Sequence, residues 1–143
     1  MRPMAARAPA AALLLLAASG AACAQDEPCG AVLDARQRVA VEGPQHHLAF
    51  VPVPAPLASG RHFSLEIVVC ARAGARAPSG LKVDADMPSH RHGMNYKATV
   101  TALGNGRYRA DGLMLHMAGR WRLLFDLTVD GRTQRLVHEQ DLP

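Results

Sequence analysis

Apolar and polar residues alternate with a period of two along much of this chain. The clearest case is the segment 120–129, in which every second residue is apolar. Side chains two positions apart in a strand lie on the same face of a sheet, so this alternation predicts a β-strand with one buried face. The apolar positions of this segment are Trp121, Leu123, Phe125, Leu127 and Val129. The segments 62–70 and 81–87 alternate in the same way.

Turn residues divide this pattern into short segments. We predict strands over 38–42, 62–70, 81–87, 95–103, 107–110, 113–117, 120–129 and 132–138. The segment 47–53 ends in Pro52 and Pro54, which predicts an edge strand or an extended connector. Gly104-Asn105-Gly106 and Asp130-Gly131 are typical of hairpin turns, because Asn and Gly tolerate a positive φ. After the N-terminal segment, no stretch of about ten residues has a convincing helical period. About seven short strands with regular turns predict an all-β fold, an antiparallel immunoglobulin-like β-sandwich.

The segment 1–24 has the composition of a secretory signal peptide. Basic residues precede an apolar run, and Ala22-Cys23-Ala24 is an A-x-A cleavage pattern. The apolar run is too short for a transmembrane span. We predict cleavage after Ala24 and a periplasmic or secreted protein with no membrane span. Lipid attachment at Cys23 is the less favoured alternative, since Gly20 stands where such sites carry an aliphatic residue.

Removal of 1–24 leaves 143 − 24 = 119 residues, which is enough for one domain. We expect a loose N-terminal segment over 25–36 and a sandwich domain over 37–143. The formal net charge falls from +4 to +2, because two of the 16 basic residues and none of the 12 acidic residues leave. The remaining arginines are scattered and form no basic run with interleaved aromatic residues, so nucleic acid is not a predicted partner.

Two cysteines, Cys29 and Cys70, remain after that cleavage. An even pair in an exported chain predicts a disulfide. The bond would close a loop of about 40 residues and contribute about 3–4 kcal/mol to stability. In the alternative, Cys29 lies in a frayed terminus and Cys70 is a small buried apolar residue.

Every methionine beyond residue 24 lies within 87–117, together with three of the seven histidines. In extended chain, residues two apart share a face, which groups His90 with His92 and Met94, and Met114 with His116. Thioether and imidazole are ligands that suit Cu(I) where thiols are oxidised. The sequence therefore predicts a Cu(I) site. Its candidate ligands are His90, His92, Met94, Met114 and His116.

The alternative is that this cluster is core and loop, without a metal. Met87 continues the apolar face of its strand, and Met117 is also expected in the core. His90 and His92 would then be solvated residues of a polar loop, and the protein would be a periplasmic protein-interaction module. The other histidines are expected at the surface or at sheet edges. They are His46, His47, His62 and His138.

The sequence carries no arrangement of residues typical of an enzyme. It contains no nucleophile motif, and no phosphate-binding glycine loop. Asp84 and Asp86 share one face of a predicted strand, where paired carboxylates can act in acid–base catalysis, but solvated aspartates are the far commoner case. We therefore predict a protein that is not an enzyme.

Three parts of the second half carry a family resemblance. They are 86–94 (DMPSHRHGM), 104–109 (GNGRYR), and 112–113 (GL) with 116–121 (HMAGRW). In this order they resemble the YtkA-like domain family, which is close to the FixH-like accessory proteins of bacteria. Ala118 departs from the proline usual at that point of the family's turn. The resemblance implies an exported immunoglobulin-like sandwich, a role in copper handling or respiratory oxidase assembly, and an oxidase or copper-handling protein as partner.

Overall fold

The computed structural model describes residues 27–143. The predicted signal peptide lies outside the described residues. Within residues 27–143, no helix has both the length and the apolar character that crossing a membrane requires.

Nine β-strands are described, and they form two antiparallel sheets. The strands are β1 (Val39–Val41), β2 (His46–Val53), β3 (His62–Ala71), β4 (Gly80–Met87), β5 (His92–Gly93), β6 (Thr99–Gly104), β7 (Arg107–Met114), β8 (Gly119–Val129) and β9 (Arg132–Leu142). The first sheet has the order β1-β2-β3-β7-β6, and the second has the order β5-β4-β8-β9. One turn of 3-10 helix, Pro88–His90, separates β4 from β5. The prediction of an all-β antiparallel sandwich is confirmed.

The core lies between the two sheets and consists of the predicted apolar faces. Phe50 and Phe125 meet across it, with ring centroids 5.4 Å apart. The alternating apolar residues of β3, β4 and β8 are buried, including all five named above for the segment 120–129. Full burial of one such side chain contributes about 1.5–3 kcal/mol, so the two-residue period fixes which faces pack together.

Several element boundaries differ from the predicted ones, and β9, for example, runs to Leu142 rather than to residue 138. β6 begins at Thr99 rather than at residue 95, because its pairing with β7 starts at Thr99 and Asp111. The segments 107–110 and 113–117 were predicted as separate strands, but β7 runs continuously to Met114. Gly112 has a φ of +83°, and the β3–β7 register shifts beside it. This glycine therefore bends the strand without ending it.

The described part of the N-terminal segment, 27–36, lies on the outer face of the first sheet. The predicted disulfide between Cys29 and Cys70 is confirmed. Leu33 is buried in a small second cluster against Ala49, Val51 and Val68. We expected 25–36 to be loose. The packing of Leu33 and the disulfide both attach the described part of it to β2 and β3.

Candidate metal site

A tight reversal after β4 places two of the predicted ligands. Pro88 opens the 3-10 turn, and Arg91 adopts a left-handed conformation with its N–H donating to the carbonyl of Pro88 at 3.2 Å. The chain then pairs back on β4, so that His92 lies opposite Met87. His90 is exposed and His92 is half-buried. The sequence between β4 and β5 therefore directs one imidazole to solvent and one towards the sandwich.

The connection between β7 and β8 places the third imidazole. Leu115 is fully buried, which anchors the chain immediately before His116. The indole Nε1 of Trp121 donates a hydrogen bond to the carbonyl of Met117 at 3.0 Å. This bond fixes the connection against β8, because the indole itself is fully buried. His116 is thus held next to the start of β8.

The imidazoles converge over this indole. The ring centroids of His92 and His116 are 4.9 Å apart. Their distances to the Trp121 ring are 5.6 and 5.3 Å, and both contacts are edge-to-face. The ring of His90 lies 5.8 Å from that of His92. We refer to His90, His92, His116 and Trp121 as the histidine–tryptophan cluster.

The hydrogen bonds of the cluster leave imidazole nitrogens for a metal. Nδ1 of His92 lies 3.2 Å from the carbonyl oxygen of Gly93. When Nδ1 donates that bond, Nε2 carries the lone pair, and a carbonyl bond of this kind commonly orients a metal-binding histidine. Nδ1 of His116 is buried and has no hydrogen-bond partner among residues 27–143. Each ring therefore keeps a nitrogen that no group among residues 27–143 engages, but the ligand atoms of His90, His92 and His116 do not all lie within 4.8 Å of one another.

The predicted thioether ligands are Met94 and Met114, which lie two residues from His92 and His116 in the sequence. Met94 is partly buried and packs against the core, and its N–H donates to the carbonyl of Ala85 at 3.0 Å. Met114 lies opposite His62 in the β3–β7 pairing. The convergence of the cluster therefore rests on the imidazoles, and ligation by Met94 or Met114 stays a prediction.

The other two methionines of the segment 87–117 lie in the core or against it. Met87 is fully buried, and its methyl group lies 3.1 Å from the position that a Cβ on Gly119 would take. Met117 is partly buried against the same core. A glycine at 119 therefore makes room for Met87 beneath the connection that carries His116.

The two strand aspartates are engaged in hydrogen bonds. Asp86 accepts bonds from Nε and Nη2 of Arg122, at 2.8 and 2.5 Å. This interaction with Arg122 lowers the pKa of Asp86, although partial burial opposes the shift. Asp84 accepts a bond from the N–H of Ala85 at 2.8 Å. Both side chains have a structural partner on the second sheet.

A second group of potential ligands was not predicted. One ligand atom from each of Cys29, His47 and Cys70 lies within 4.8 Å of the other two. The two sulfurs are joined in the disulfide, so they are not free ligands in this state. His47 lies directly opposite Cys70 in the β2–β3 register. Only the alignment of β2 with β3 shows that these residues are neighbours, and the spacing of residues along the sequence does not reveal that alignment.

The expectation that His46 lies at the surface or at an edge is wrong. His46 is 1% exposed. Its Nδ1 is 2.8 Å from Oε1 of Gln134, and its Nε2 is 2.7 Å from the carbonyl oxygen of Arg76. The polar ring is tolerated in the interior because both nitrogens have partners.

Comparison with family models, with curated proteins and with solved structures gives no match to this chain.

Proposed function

We propose that this is an exported protein that binds Cu(I) at the histidine–tryptophan cluster. His92 and His116 are the central ligands, and His90 with the thioether of Met94 or Met114 completes the set. The observation that carries the proposal is the 4.9 Å approach of two imidazoles from separate connections onto one buried indole. Its role would be to bind and pass copper, in copper handling or respiratory oxidase assembly.

The chemistry of the cluster suits a soft monovalent ion. Imidazole binds copper well, and thioethers favour its reduced state. In the confirmed disulfide, Cys29 and Cys70 have no free thiol that could compete with the cluster for Cu(I). A cation over the face of the Trp121 ring gains a favourable interaction. The buried indole also excludes water from one side of the site. The resemblance to the YtkA-like family supports the same role, and we include membership of that family in the proposal.

The first test is an anaerobic Cu(I) titration of the purified protein against a chromophoric Cu(I) chelator. We expect one equivalent of Cu(I) to bind, and binding to be lost in the double variant His92→Ala/His116→Ala. The matched control is His138→Phe, which removes an imidazole of β9 that packs on Phe50. It should bind Cu(I) as the wild type does.

Fluorescence gives an independent measurement, because the chain contains one tryptophan. Copper bound to His92 and His116 should quench Trp121, since both rings contact the indole. Wild-type protein that neither competes for Cu(I) nor changes its fluorescence would contradict the proposal. The loop would then be assigned to the alternative, a periplasmic protein-interaction module.

A further inference from the structure

We propose that Cys29, His47 and Cys70 form a second Cu(I) site when the disulfide is reduced. One ligand atom from each residue already lies within 4.8 Å of the other two. Two thiolates and one imidazole are the soft and borderline donors that suit Cu(I). Three donors satisfy this ion, which accepts low coordination numbers.

Strand pairing and the packing of the N-terminal turn hold the three donors close, in addition to the disulfide. Pairing of β2 with β3 sets His47 opposite Cys70. Cys29 is brought to them by the N-terminal turn, in which Leu33 packs against the outer face of the sheet. A guanidinium N–H of Arg38 donates to the carbonyl of Gly30 at 3.0 Å and fixes the same turn. Reduction therefore leaves the three side chains in register.

The environment of His47 supports a ligand role. Its Nδ1 is buried and has no hydrogen-bond partner within the described range 27–143. A buried imidazole nitrogen without a partner is costly, and a bound metal ion would supply one. Cys29, His47 and Cys70 are half-buried rather than sealed, so a reductant and an ion can reach them.

A dithiol donor can reduce this disulfide. One donor thiolate attacks a sulfur of the disulfide, forms a mixed disulfide and releases the other cysteine as a thiolate. The second thiolate of the donor then attacks the donor sulfur in the mixed disulfide and releases the second cysteine as a thiolate, and the donor leaves in its oxidised, disulfide form. Two electrons and two protons have passed to Cys29 and Cys70. Cu(I) then binds both sulfurs, and the thiol protons pass to solvent. Copper uptake at this site thus depends on the redox state.

The test uses protein carrying His92→Ala and His116→Ala, so that the histidine–tryptophan cluster does not contribute. This variant is titrated anaerobically with Cu(I) against a chromophoric chelator, before and after reduction with a phosphine that is then removed. We expect no competition from the oxidised variant and one bound equivalent after reduction. Adding His47→Ala should weaken binding at least about tenfold, whereas adding His62→Ala should leave it unchanged.

Reduced protein that takes up no Cu(I), or that binds equally well without His47, would overturn the proposal. If reduction unfolds the chain, near-ultraviolet circular dichroism supplies the second measurement. Cu(I) bound in the native geometry should restore the native spectrum, because an ion that binds the folded state stabilises it. Failure to restore it would also overturn the proposal. Oxidised wild-type protein tests the other copper site separately, so either proposal can fail alone.

Discussion

At the scale of single residues, burial decides what each histidine can do. The sequence places His90 and His92 two positions apart and groups them with His116 in one predicted site. The approach of His92 to His116 follows that expectation. The part played by Trp121 could not be predicted, because the offset between the two segments depends on strand register. Alternation alone also cannot tell a buried, doubly bonded ring such as His46 from an exposed one.

His138 offers a residue-scale prediction about pH. Its ring packs edge-to-face on Phe50 with centroids 5.3 Å apart, and burial lowers its pKa below the ordinary value of 6.5, against a weaker opposing effect of Glu139. The unfolded chain therefore takes up the proton more readily than the folded one. The stability contributed by neutral His138 is complete above its ordinary pKa and is lost as the pH falls through the lowered value.

We expect His138→Phe to lose less stability than the wild type when the pH falls from about 7 to about 5. Urea denaturation at several pH values measures this difference. His62→Phe is the control, because His62 is exposed, and it should follow the wild type. A decline in His138→Phe as steep as that of the wild type would rule out His138 as the source.

At the scale of elements, the long alternating strands were predictable and their partners were not. The alternating apolar positions of β8 are buried because a period of two over 11 residues leaves one choice of face, whereas Leu124 is buried on the opposite face. β6 is a weaker case, since residues 95–98 alternate but pair with no strand described here. The juxtaposition of His47 with Cys70 depends on how β2 aligns with β3. Nothing in the chemistry of either segment alone sets that alignment.

Cross-strand ion pairs on the outer face of the second sheet provide a prediction at this scale. Asp126 of β8 accepts bonds from Nε and Nη2 of Arg135 on β9, at 2.6 and 2.7 Å. Hydrogen bonding to Arg135 lowers the pKa of Asp126, although desolvation opposes the shift. The stabilisation is therefore complete above the ordinary value of 3.8 and is lost as the pH falls through the lowered value.

Asp126→Asn should lower the free energy of unfolding at neutral pH by about 0.5–1 kcal/mol. Its stability should also decline less than that of the wild type below about pH 4. Thermal or urea denaturation across this range measures both effects. Asp130→Asn removes a more exposed partner, that of Arg76, and should change little. Equal effects of the two substitutions would show that the ion pair of Asp126 with Arg135 stabilises the fold no more than the exposed pair of Asp130 with Arg76.

At the scale of the whole molecule, the two proposed copper sites lie towards opposite ends of the sandwich. The histidine–tryptophan cluster lies at Trp121, near the start of β8. His46, the neighbour of His47, bonds to Gln134 of β9, which pairs with Leu127 near the far end of β8. Six residues of strand separate Trp121 from Leu127, or about 20 Å. One ion cannot bind at both sites, and the disulfide is structurally remote from the cluster.

Because of this separation, we expect the disulfide to have no effect on Cu(I) binding at the histidine–tryptophan cluster. The double variant Cys29→Ala/Cys70→Ala tests this expectation. The disulfide spans a sequence separation of 41, and the chain-entropy model assigns such a loop about 4 kcal/mol. We expect urea denaturation to show a loss of that order, and Cu(I) titration of the folded variant to show unchanged affinity at His92 and His116. Leu33→Ala, which weakens the N-terminal packing but keeps the bond, should lose less stability. A folded cysteine variant with weakened Cu(I) binding would mean that the two ends are coupled through the sheets, because sites this far apart are otherwise additive.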